Sequence, residues 1–457
     1  MSRHSDCPRC LILAGALAFS APALADQYHY NEMLVGDRAA GMGGAYVAVA
    51  DDPTGLYYNP AGIVYSGKSS LSASMNAINI SRTEYKNVLN GKDWIRTSSA
   101  LIPNFFGVSQ PLGPGTVGFS YAVTDAVLED QDQSFANVRD PGDEFTINFN
   151  NQDTSYNLGP SYALALTPRL SLGLTLYGFI RQRQMIFNQM FQGLSDPVYV
   201  LDSDGKRIPD PDNPGKYLVE TDPDSGEPLT QASEQWENQY LQTEEYGIRP
   251  LLGLMWSPVD KLSLGLAVSK IQLLYASSSQ QVSCYSTDYD GMLLDENDNP
   301  LGVCRPREIS KSTVTSSVKR NFPWAANLGA AYFASDRLLL SGAAWIYQGM
   351  NGQSNPVVNY ALGLEYYLTG RFALRLGAYS NQANTPPPRS GGINQAEHVN
   401  LRGASFSLTH FTRSSSITLG MAAARGRGQG QVISNSTSIQ DIEVLNFAAF
   451  LSAGYSY

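Results

Sequence analysis

Few residues of this chain have the types and spacing that catalysis needs. Three histidines lie beyond residue 25, His29, His398 and His410, and none has a serine and a carboxylate in a recognisable hydrolase arrangement. They fall in three separate parts of the chain, so we expect their side chains to lie apart. The sequence therefore predicts a protein that is not an enzyme, which argues against a lipid hydrolase as the alternative.

Thiolates and carboxylates are the remaining candidate metal ligands. Cys284 and Cys304 are the only cysteines after residue 25, and with so few histidines they are too few for a zinc site. In an exported chain such a pair predicts one disulfide, which closes a loop of about 20 residues. No metal and no cofactor is predicted from these residues.

A cluster of aspartates between residues 202 and 226 has the chemistry that calcium prefers. No complete loop with a distal bidentate glutamate follows it, however, and polar turns around Pro and Gly are the reading that we favour. The cluster consists of Asp202, Asp204, Asp210, Asp212, Asp222 and Asp224.

A short apolar run near residue 190 has the spacing of an amphipathic helix, which suits the binding of a hydrophobic molecule. The alternative is that these side chains only pack a loop against the rest of the protein. The run consists of Met185, Ile186, Phe187, Met190, Phe191 and Leu194.

Arg375 is the candidate for binding an acidic group. The residues Thr369-Gly370-Arg371 predict a tight hairpin turn, which would place Glu365 opposite Arg375 with both side chains on one face. We favour a solvated ion pair that keeps this face polar. The alternative is a charge-assisted bond to the carboxylate of a bound ligand.

The elements that position these residues begin with an export signal. Residues 1–25 contain Arg3 and Arg9, an apolar run from Leu11 to Phe19, and the cleavage sequence Ala23-Leu24-Ala25. Cys7 and Cys10 precede the apolar run and leave with the signal. The formal net charge of −10 is unsuited to binding phosphate backbones, so nucleic acid is not an expected partner.

The rest of the chain alternates apolar and small or polar residues as strands of a membrane barrel do. Leu170, Leu172, Leu174 and Leu176 would face lipid while the residues between them face inward. No segment after residue 25 is apolar for the ~18 residues of a membrane helix. This pattern predicts an all-β, 14-stranded antiparallel transmembrane barrel over residues 68–457. Its strands begin near residues 69, 101, 116, 156, 169, 246, 261, 323, 337, 357, 371, 399, 415 and 443.

The connections alternate between short and long, which predicts short turns in the periplasm and long loops outside. The two largest predicted outer loops are residues 184–245 and 276–321. The last strand ends on Tyr457 after apolar residues at alternate positions, a pattern of bacterial outer-membrane barrels. The expected partners are therefore the barrel-assembly machinery, outer-membrane lipids and lipopolysaccharide, and we expect a monomer.

Residues 26–67 lack strand alternation and are rich in small side chains from Ala39 to Ala50, so we predict a plug, or hatch, inside the barrel. Ala50-Asp51-Asp52 followed by Asn59-Pro60-Ala61 resembles the FadL (long-chain fatty acid transport) family. The resemblance implies a hatch that carries Asn59-Pro60-Ala61 in a fourteen-stranded barrel.

The same resemblance implies energy-independent uptake of a hydrophobic molecule such as a fatty acid, an alkane or a monoaromatic compound. The molecule would land between the two large outer loops, reach a pocket near the hatch, and leave sideways into the bilayer near Gly115 to Thr124 of the third strand. The alternatives are a porin for polar solutes and a structural or adhesive barrel, and the predicted hatch argues against an open porin.

Overall fold

The structure is a computed structural model of the chain. It describes residues 29–30, 33–66, 68–89, 91–137, 141–202, 207–213, 216–223, 225–287, 308–350, 354–392, 395–431 and 437–457. The predicted signal peptide, residues 1–25, lies outside them. Among the described residues no helix is long and apolar enough to cross a membrane.

Three short helices come first and sixteen strands follow. The helices are α1 (Asp37–Gly41), α2 (Gly55–Tyr58) and a 3-10 helix (Pro60–Ser66). The strands are β1 (Ser70–Leu89), β2 (Lys92–Leu112), β3 (Gly115–Ala136), β4 (Glu144–Thr167), β5 (Leu170–Pro197), β6 (Thr230–Val259), β7 (Leu262–Ser269), β8 (Gln272–Ser286), β9 (Ser310–Ser316), β10 (Ala325–Ser335), β11 (Leu338–Tyr347), β12 (Val357–Thr369), β13 (Phe372–Asn381), β14 (His398–Phe411), β15 (Ser415–Gly430) and β16 (Gln440–Ser456).

Fourteen of these strands form a closed antiparallel barrel, which confirms the predicted fold class. The first and last strands pair, with Ser70 opposite Ser456. β7 pairs with one part of β6 and β10, whereas β8 continues the path of β7 along the rest of β6 and then pairs with β9. Closure leaves every wall strand with two neighbours over most of its length, which a spanning sheet requires.

The wall faces alternate as the sequence predicts. On β5, Leu172, Leu174 and Leu176 are exposed on the outer surface, while Ser171 and Thr175 between them are buried. Apolar side chains of this kind are stable in contact with lipid and not with water. The turns at one end of the barrel are short, as predicted. We call this the short-turn end and the opposite one the hairpin end.

The prediction that residues 184–245 and 276–321 are loops is wrong, because the structure has β-strands over much of both ranges. β5 continues to Pro197 and pairs with β6 back to Thr230, so the sheet runs through most of residues 184–245. Residues 276–321 likewise contain most of β8 and all of β9, and residues 288–307 lie outside the described part. Beyond the apolar band the outward positions of β5 are mainly polar, such as Gln182 and Gln184, so the alternation that reveals a strand fades while backbone pairing continues.

The segment that precedes β1 fills the short-turn end of the barrel. Its core residues, among them Val35, Tyr46, Leu56 and Ile63, have no exposed surface. The 3-10 helix packs against β4, β5 and β6, and α1 packs against β13, β14 and β15. These two groups of strands lie across the barrel from each other, so the segment spans the bore.

Candidate functional site

Hydrogen bonds from Asn59-Pro60-Ala61 connect two parts of the hatch with each other and with the barrel wall. The Asn59 side-chain amide donates to the carbonyl of Val47 at 2.7 Å and to that of Leu254, on β6, at 3.1 Å. Its oxygen accepts from the backbone N–H of Ala61 at 3.2 Å. Pro60 begins the 3-10 helix, where its fixed φ and missing N–H cost nothing. The motif is a rigid, fully buried bend.

Inward-facing glycines of the wall leave room for the hatch backbone. A Cβ at Gly173 would lie 2.4 Å from the Ala61 nitrogen, and one at Gly253 would lie 2.2 Å from Asn59 Oδ1. On the other side of the bore, a Cβ at Gly377 would lie 2.1 Å from the nitrogen of Gly43. We call Gly173, Gly253, Gly265, Gly329, Gly363 and Gly377 the glycine belt, since each has a hatch atom within 3 Å of its ideal Cβ position.

A buried ion-pair network anchors the hatch to the wall. Arg375 pairs with Glu365 at 2.7 Å on neighbouring strands, in the register that the hairpin turn predicts. Arg38 of the hatch binds both oxygens of Glu365, at 2.7 and 3.1 Å, and also pairs with Asp51 at 2.5 Å. Glu365 and Arg375 are 1% and 2% exposed. The pair is thus buried beneath the hatch, and the expectation of a solvated pair is wrong.

The run at residues 185–194 is strand and not helix. It lies on β5, so Met185, Phe187 and Phe191 point inward and are buried, whereas Met190 lies on the outer face opposite Trp236. Leu194 is on the same strand, and its side chain lies outside the described part. Helical spacing and strand alternation both occur in this run, and pairing with β4 and β6 decides between them.

The inward residues of β5 join an apolar cluster that fills the lumen toward the hairpin end. Its rings meet edge to face, with Phe149 5.9 Å from Phe187 and 6.3 Å from Trp94, and Trp94 stacks on Tyr85 at 5.1 Å. We call it the upper cluster, and its buried members are Tyr85, Val88, Leu89, Trp94, Phe135, Ile147, Phe149, Met185, Phe187, Leu241, Val399, Leu401, Ala424 and Ile442.

Inward-facing charges that the sequence did not predict as a site form pairs beside and beneath the upper cluster. Arg96 binds both oxygens of Glu129 at 2.8 and 3.1 Å, and its guanidinium lies 4.8 Å from the Phe149 ring centre. Farther around the wall, Arg181 bonds to Asp153 at 2.8 Å and approaches Glu245 at 3.5 Å. These charged residues are at the inward-facing alternate positions of their strands, and that pattern in the sequence could have revealed them.

A cavity of about 100 Å³ lies between the hatch and the upper cluster. The hatch contributes His29 and Met33 to its lining, and His29 Nε2 lies 2.7 Å from the carbonyl oxygen of Val399. The upper cluster contributes Tyr85, and Arg96 also borders the cavity. The lining is therefore partly apolar and partly charged.

Strand pairing in the wall is interrupted beside this cavity. β2 and β3 pair at Ser98 with Glu129 and again at Phe105 with Ala122, but residues 99–104 and 123–128 between them form no ladder pairs across the two strands. A bond from the Leu128 amide to Ser98 Oγ, at 2.9 Å, crosses this part. An apolar cluster lines this break, with Ile102, Val123 and Ala126 buried, Met33 on the lumen side, and Tyr121 and Tyr156 at outward positions. Ala126 also lines the cavity. Apolar contacts thus lead from the lumen through the wall.

The remaining candidate residues lie elsewhere. His29 bonds to the carbonyl of Val399 on β14, whereas Nδ1 of the neighbouring His398 is 2.7 Å from the carbonyl oxygen of Thr385. Cys284 is buried on β8, and Cys304 lies outside the described residues. Asp210 accepts from the amide of Asp212 at 2.9 Å, as a turn does. Among the residues described, no group of three or more His, Cys, Asp or Glu is placed to hold a metal ion.

Solved structures with this architecture are barrels with a low sequence identity to the chain. A FadL homologue of Pseudomonas aeruginosa is 14% identical, with a TM-score of 0.57, and the match covers 93% of this chain and 99% of the homologue. The toluene transporter TodX of P. putida is 11% identical, with a TM-score of 0.55 and coverages of 94% and 99%. The CymD monoaromatic hydrocarbon channel is 12% identical, with a TM-score of 0.54 and coverages of 94% and 99%.

Sequence comparison agrees with this architecture. No curated protein matches the chain. The family profile described as outer membrane protein transport protein (OMPP1/FadL/TodX) matches residues 16–390, which is most of the chain. The chain therefore belongs to the OMPP1/FadL/TodX family of outer-membrane transport proteins.

Proposed function

We propose that this protein takes up small hydrophobic molecules across the bacterial outer membrane by energy-independent diffusion, with the hairpin end outside and the short-turn end in the periplasm. The observation that carries the proposal is the apolar path from the lumen through the break between β2 and β3. A hydrophobic molecule gains ~0.8 kcal/mol for each methylene that leaves water, so it needs no other driving force to reach lipid.

The way in is the upper cluster, where Phe187 and Phe149 offer apolar contact to a molecule that arrives from outside. Met185 adds a flexible side chain that adapts to different shapes. We assign these inward residues to substrate binding together with Phe191. Met190 faces outward, and we do not assign it to the route.

Arg375 is assigned to the hatch and not to the substrate. Its Nε already bonds Glu365, and Nη1 bonds Thr409. A ligand carboxylate would have to displace both the hatch and Glu365 to reach it.

The size of the cavity favours compact substrates. Its volume of about 100 Å³ is smaller than the ~150 Å³ of an engineered cavity that binds benzene. A monoaromatic compound therefore needs only a modest shift of neighbouring side chains, whereas an extended acyl chain needs the upper cluster to separate. We propose monoaromatic hydrocarbons as the first substrates to test, ahead of long-chain fatty acids.

The exit is tested by closing the break. Cysteines at Leu101 and Ala126 lie on opposite sides of it, and a short reducible bis-thiosulfonate crosslinker should join them and block toluene uptake until a reductant is added. The matched control joins Val108 and Phe119, which already pair on the same two strands. Undiminished uptake by the Leu101–Ala126 crosslinked protein would refute sideways exit here.

The competing functions predict different permeability. A porin for polar solutes would make liposomes swell in sugar solutions, and an adhesive barrel would leave toluene uptake unchanged when its gene is deleted. The proposed channel should stay tight to sugars and lose toluene uptake on deletion. No enzymatic activity is proposed.

The proposals on export follow from the sequence. We propose cleavage of the signal peptide after Ala25, a disulfide between Cys284 and Cys304, insertion of a monomer by the barrel-assembly machinery, and contact with outer-membrane lipids. Mass spectrometry of the intact protein, with and without reductant, tests the first two.

A further inference from the structure

Four arginines lie together on the lipid-facing side of the wall, and Arg82, the one nearest the proposed exit, is opposite Thr97 of β2. Arg402 is on β14, Arg425 and Arg427 are on β15, and Arg82 is on β1 beyond β16. All four side chains are exposed or nearly half exposed, with Arg425 and Arg427 at 61% and 70%. Glycines alternate with Arg425 and Arg427 on the inner face, so both arginines are directed outward.

The register of these strands places like charges opposite one another. Arg402 pairs directly with Arg425, and such cross-strand pairs of equal charge are destabilising. Glu443 is shared by Arg425 at 3.1 Å and Arg427 at 2.9 Å. Arg402 has no ion-pair partner in the part of the chain that the structure describes. The patch therefore holds more positive charge than its own carboxylate neutralises.

Residues that are directly opposite one another on successive strands form a row across the wall. The row that contains Arg402 and Arg425 continues through Leu445 to Arg82 and has no acidic residue. The nearby acids, Glu84 and Glu443, lie in the next row toward the hairpin end, where they face each other across β1 and β16. Arg82 forms an ion pair with Glu84 at 3.5 Å. An anion that approaches from the short-turn side thus meets three arginines before it meets a carboxylate.

The height of the patch matches the edge of the bilayer. Between the short turn and Arg425, the outward residues of β15 are Ile417, Leu419, Met421 and Ala423. Arg425 is ten residues beyond Ser415, which at ~3.3 Å per residue and a tilt of ~40° is about 25 Å along the membrane normal. That distance is the height of the apolar band, so the arginines lie at the level of lipid headgroups on the hairpin side.

We propose that this patch binds the phosphate groups of lipid A, the lipid anchor of lipopolysaccharide in the outer leaflet. Phosphate oxygens accept paired bonds from guanidinium groups, and two phosphates on one lipid would neutralise Arg402 together with Arg425 and Arg427. The apolar residues below the patch would contact the acyl chains. The inference rests on the orientation proposed above, with the hairpin end outside.

The test is to measure lipid A retained by the purified barrel. Native mass spectrometry in detergent counts lipid A bound to the wild type, to an Arg402→Gln/Arg425→Gln/Arg427→Gln variant, and to a control with the same loss of charge at the short turns, Arg337→Gln/Arg371→Gln/Arg413→Gln. Lipid A lacking phosphates and phosphatidylglycerol are titrated in parallel. Heat-dependent mobility on gels verifies that every variant is folded.

We expect the patch variant to bind lipid A at least about tenfold more weakly, a difference of about 1.4 kcal/mol, while the control binds as the wild type does. Wild-type binding should also fall when lipid A lacks its phosphates. Equal binding by the two variants, or equal binding of phosphatidylglycerol, would overturn the proposal. Toluene uptake is measured on the same variants and should be unchanged, so failure of the transport proposal is recognised separately.

Discussion

The two ends of the lumen are filled in opposite ways. At the short-turn end, small hatch residues lie against the glycine belt, and Asn59 and Arg38 fix them with directional bonds. At the hairpin end, large side chains such as Phe149 and Phe187 meet edge to face. Backbone in contact with backbone has few ways to rearrange, whereas aromatic and methionine side chains have several.

This difference in packing indicates which end of the lumen rearranges when a substrate enters. Opening the hatch would break ion pairs that are buried and bonds that have no replacement, while the upper cluster needs only side-chain rotation. A break in the wall lies between the two, beside the cavity. We therefore expect variants of the hatch end to change what the barrel excludes, and variants of the hairpin end to change what it binds.

The largest effect is expected at Glu365. Replacing Glu365 by Ala leaves Arg38 and Arg375 buried without their shared partner, which costs about 3–5 kcal/mol. The hatch should loosen, and liposomes containing the variant should become permeable to sugars. The control is Arg169→Ala, which breaks the exposed pair with Asp260 and should cost less than ~1 kcal/mol. Liposomes that stay tight with Glu365→Ala would contradict the anchoring role.

A smaller effect is expected in the glycine belt. Gly377→Ala places a methyl group against the Gly43 backbone, and overpacking of this kind costs about 1–3 kcal/mol. The matched control is Gly342→Ala on β11, where the nearest heavy atom is 3.5 Å away. Limited proteolysis should cut the hatch faster only in the first variant. Equal cleavage rates would mean that the wall does not confine the hatch.

Asn59→Ala should have a comparable or smaller effect. It leaves the carbonyls of Val47 and Leu254 without their donor, at about 1–3 kcal/mol. The barrel should assemble, as heat-dependent gel mobility will show, but toluene uptake should change. Normal uptake would remove the motif from the mechanism.

The smallest effect should come from the upper cluster. Phe187→Ala removes a ring that would contact toluene edge to face, an interaction worth about 0.5–1.5 kcal/mol, so toluene binding should weaken by up to about tenfold. Met190→Ala, on the outer face of the same strand, is the control and should bind toluene normally. Isothermal titration in detergent distinguishes the two. Unchanged binding by Phe187→Ala would exclude the cluster from the route.

The barrel could be predicted because lipid imposes a simple rule on each strand. Leu172 and Leu174 must face outward, and the short turns between strands mark where the chain reverses. The rule applies only where strands meet lipid, so the sequence predicts loops for about half of β5 and of β6, where the structure has paired strands. Their outer parts depend on pairing between distant residues, such as Met185 with Leu241, which one strand alone does not reveal.

The site was only partly predictable for a related reason. The pairing of Arg375 with Glu365 follows from one hairpin turn, but Arg38 reaches them from 327 residues away in the sequence. The resemblance suggested an opening near Gly115 to Thr124, whereas most of that range is paired and the unpaired run begins at Val123. A break in pairing results from irregularities on two strands together, and residue types on one strand do not determine it.

The pairing of Ser70 with Ser456 also makes closure of the barrel depend on the two ends of the wall sequence. These residues are 456 minus 70, or 386, positions apart, and the wall becomes a ring only when they meet. The hatch precedes β1 in the chain, and β16, which completes the ring, follows the other strands. Because the hatch runs directly into β1, one of the two strands at this seam, closure of the ring and placement of the hatch in the bore act on the same end of the chain.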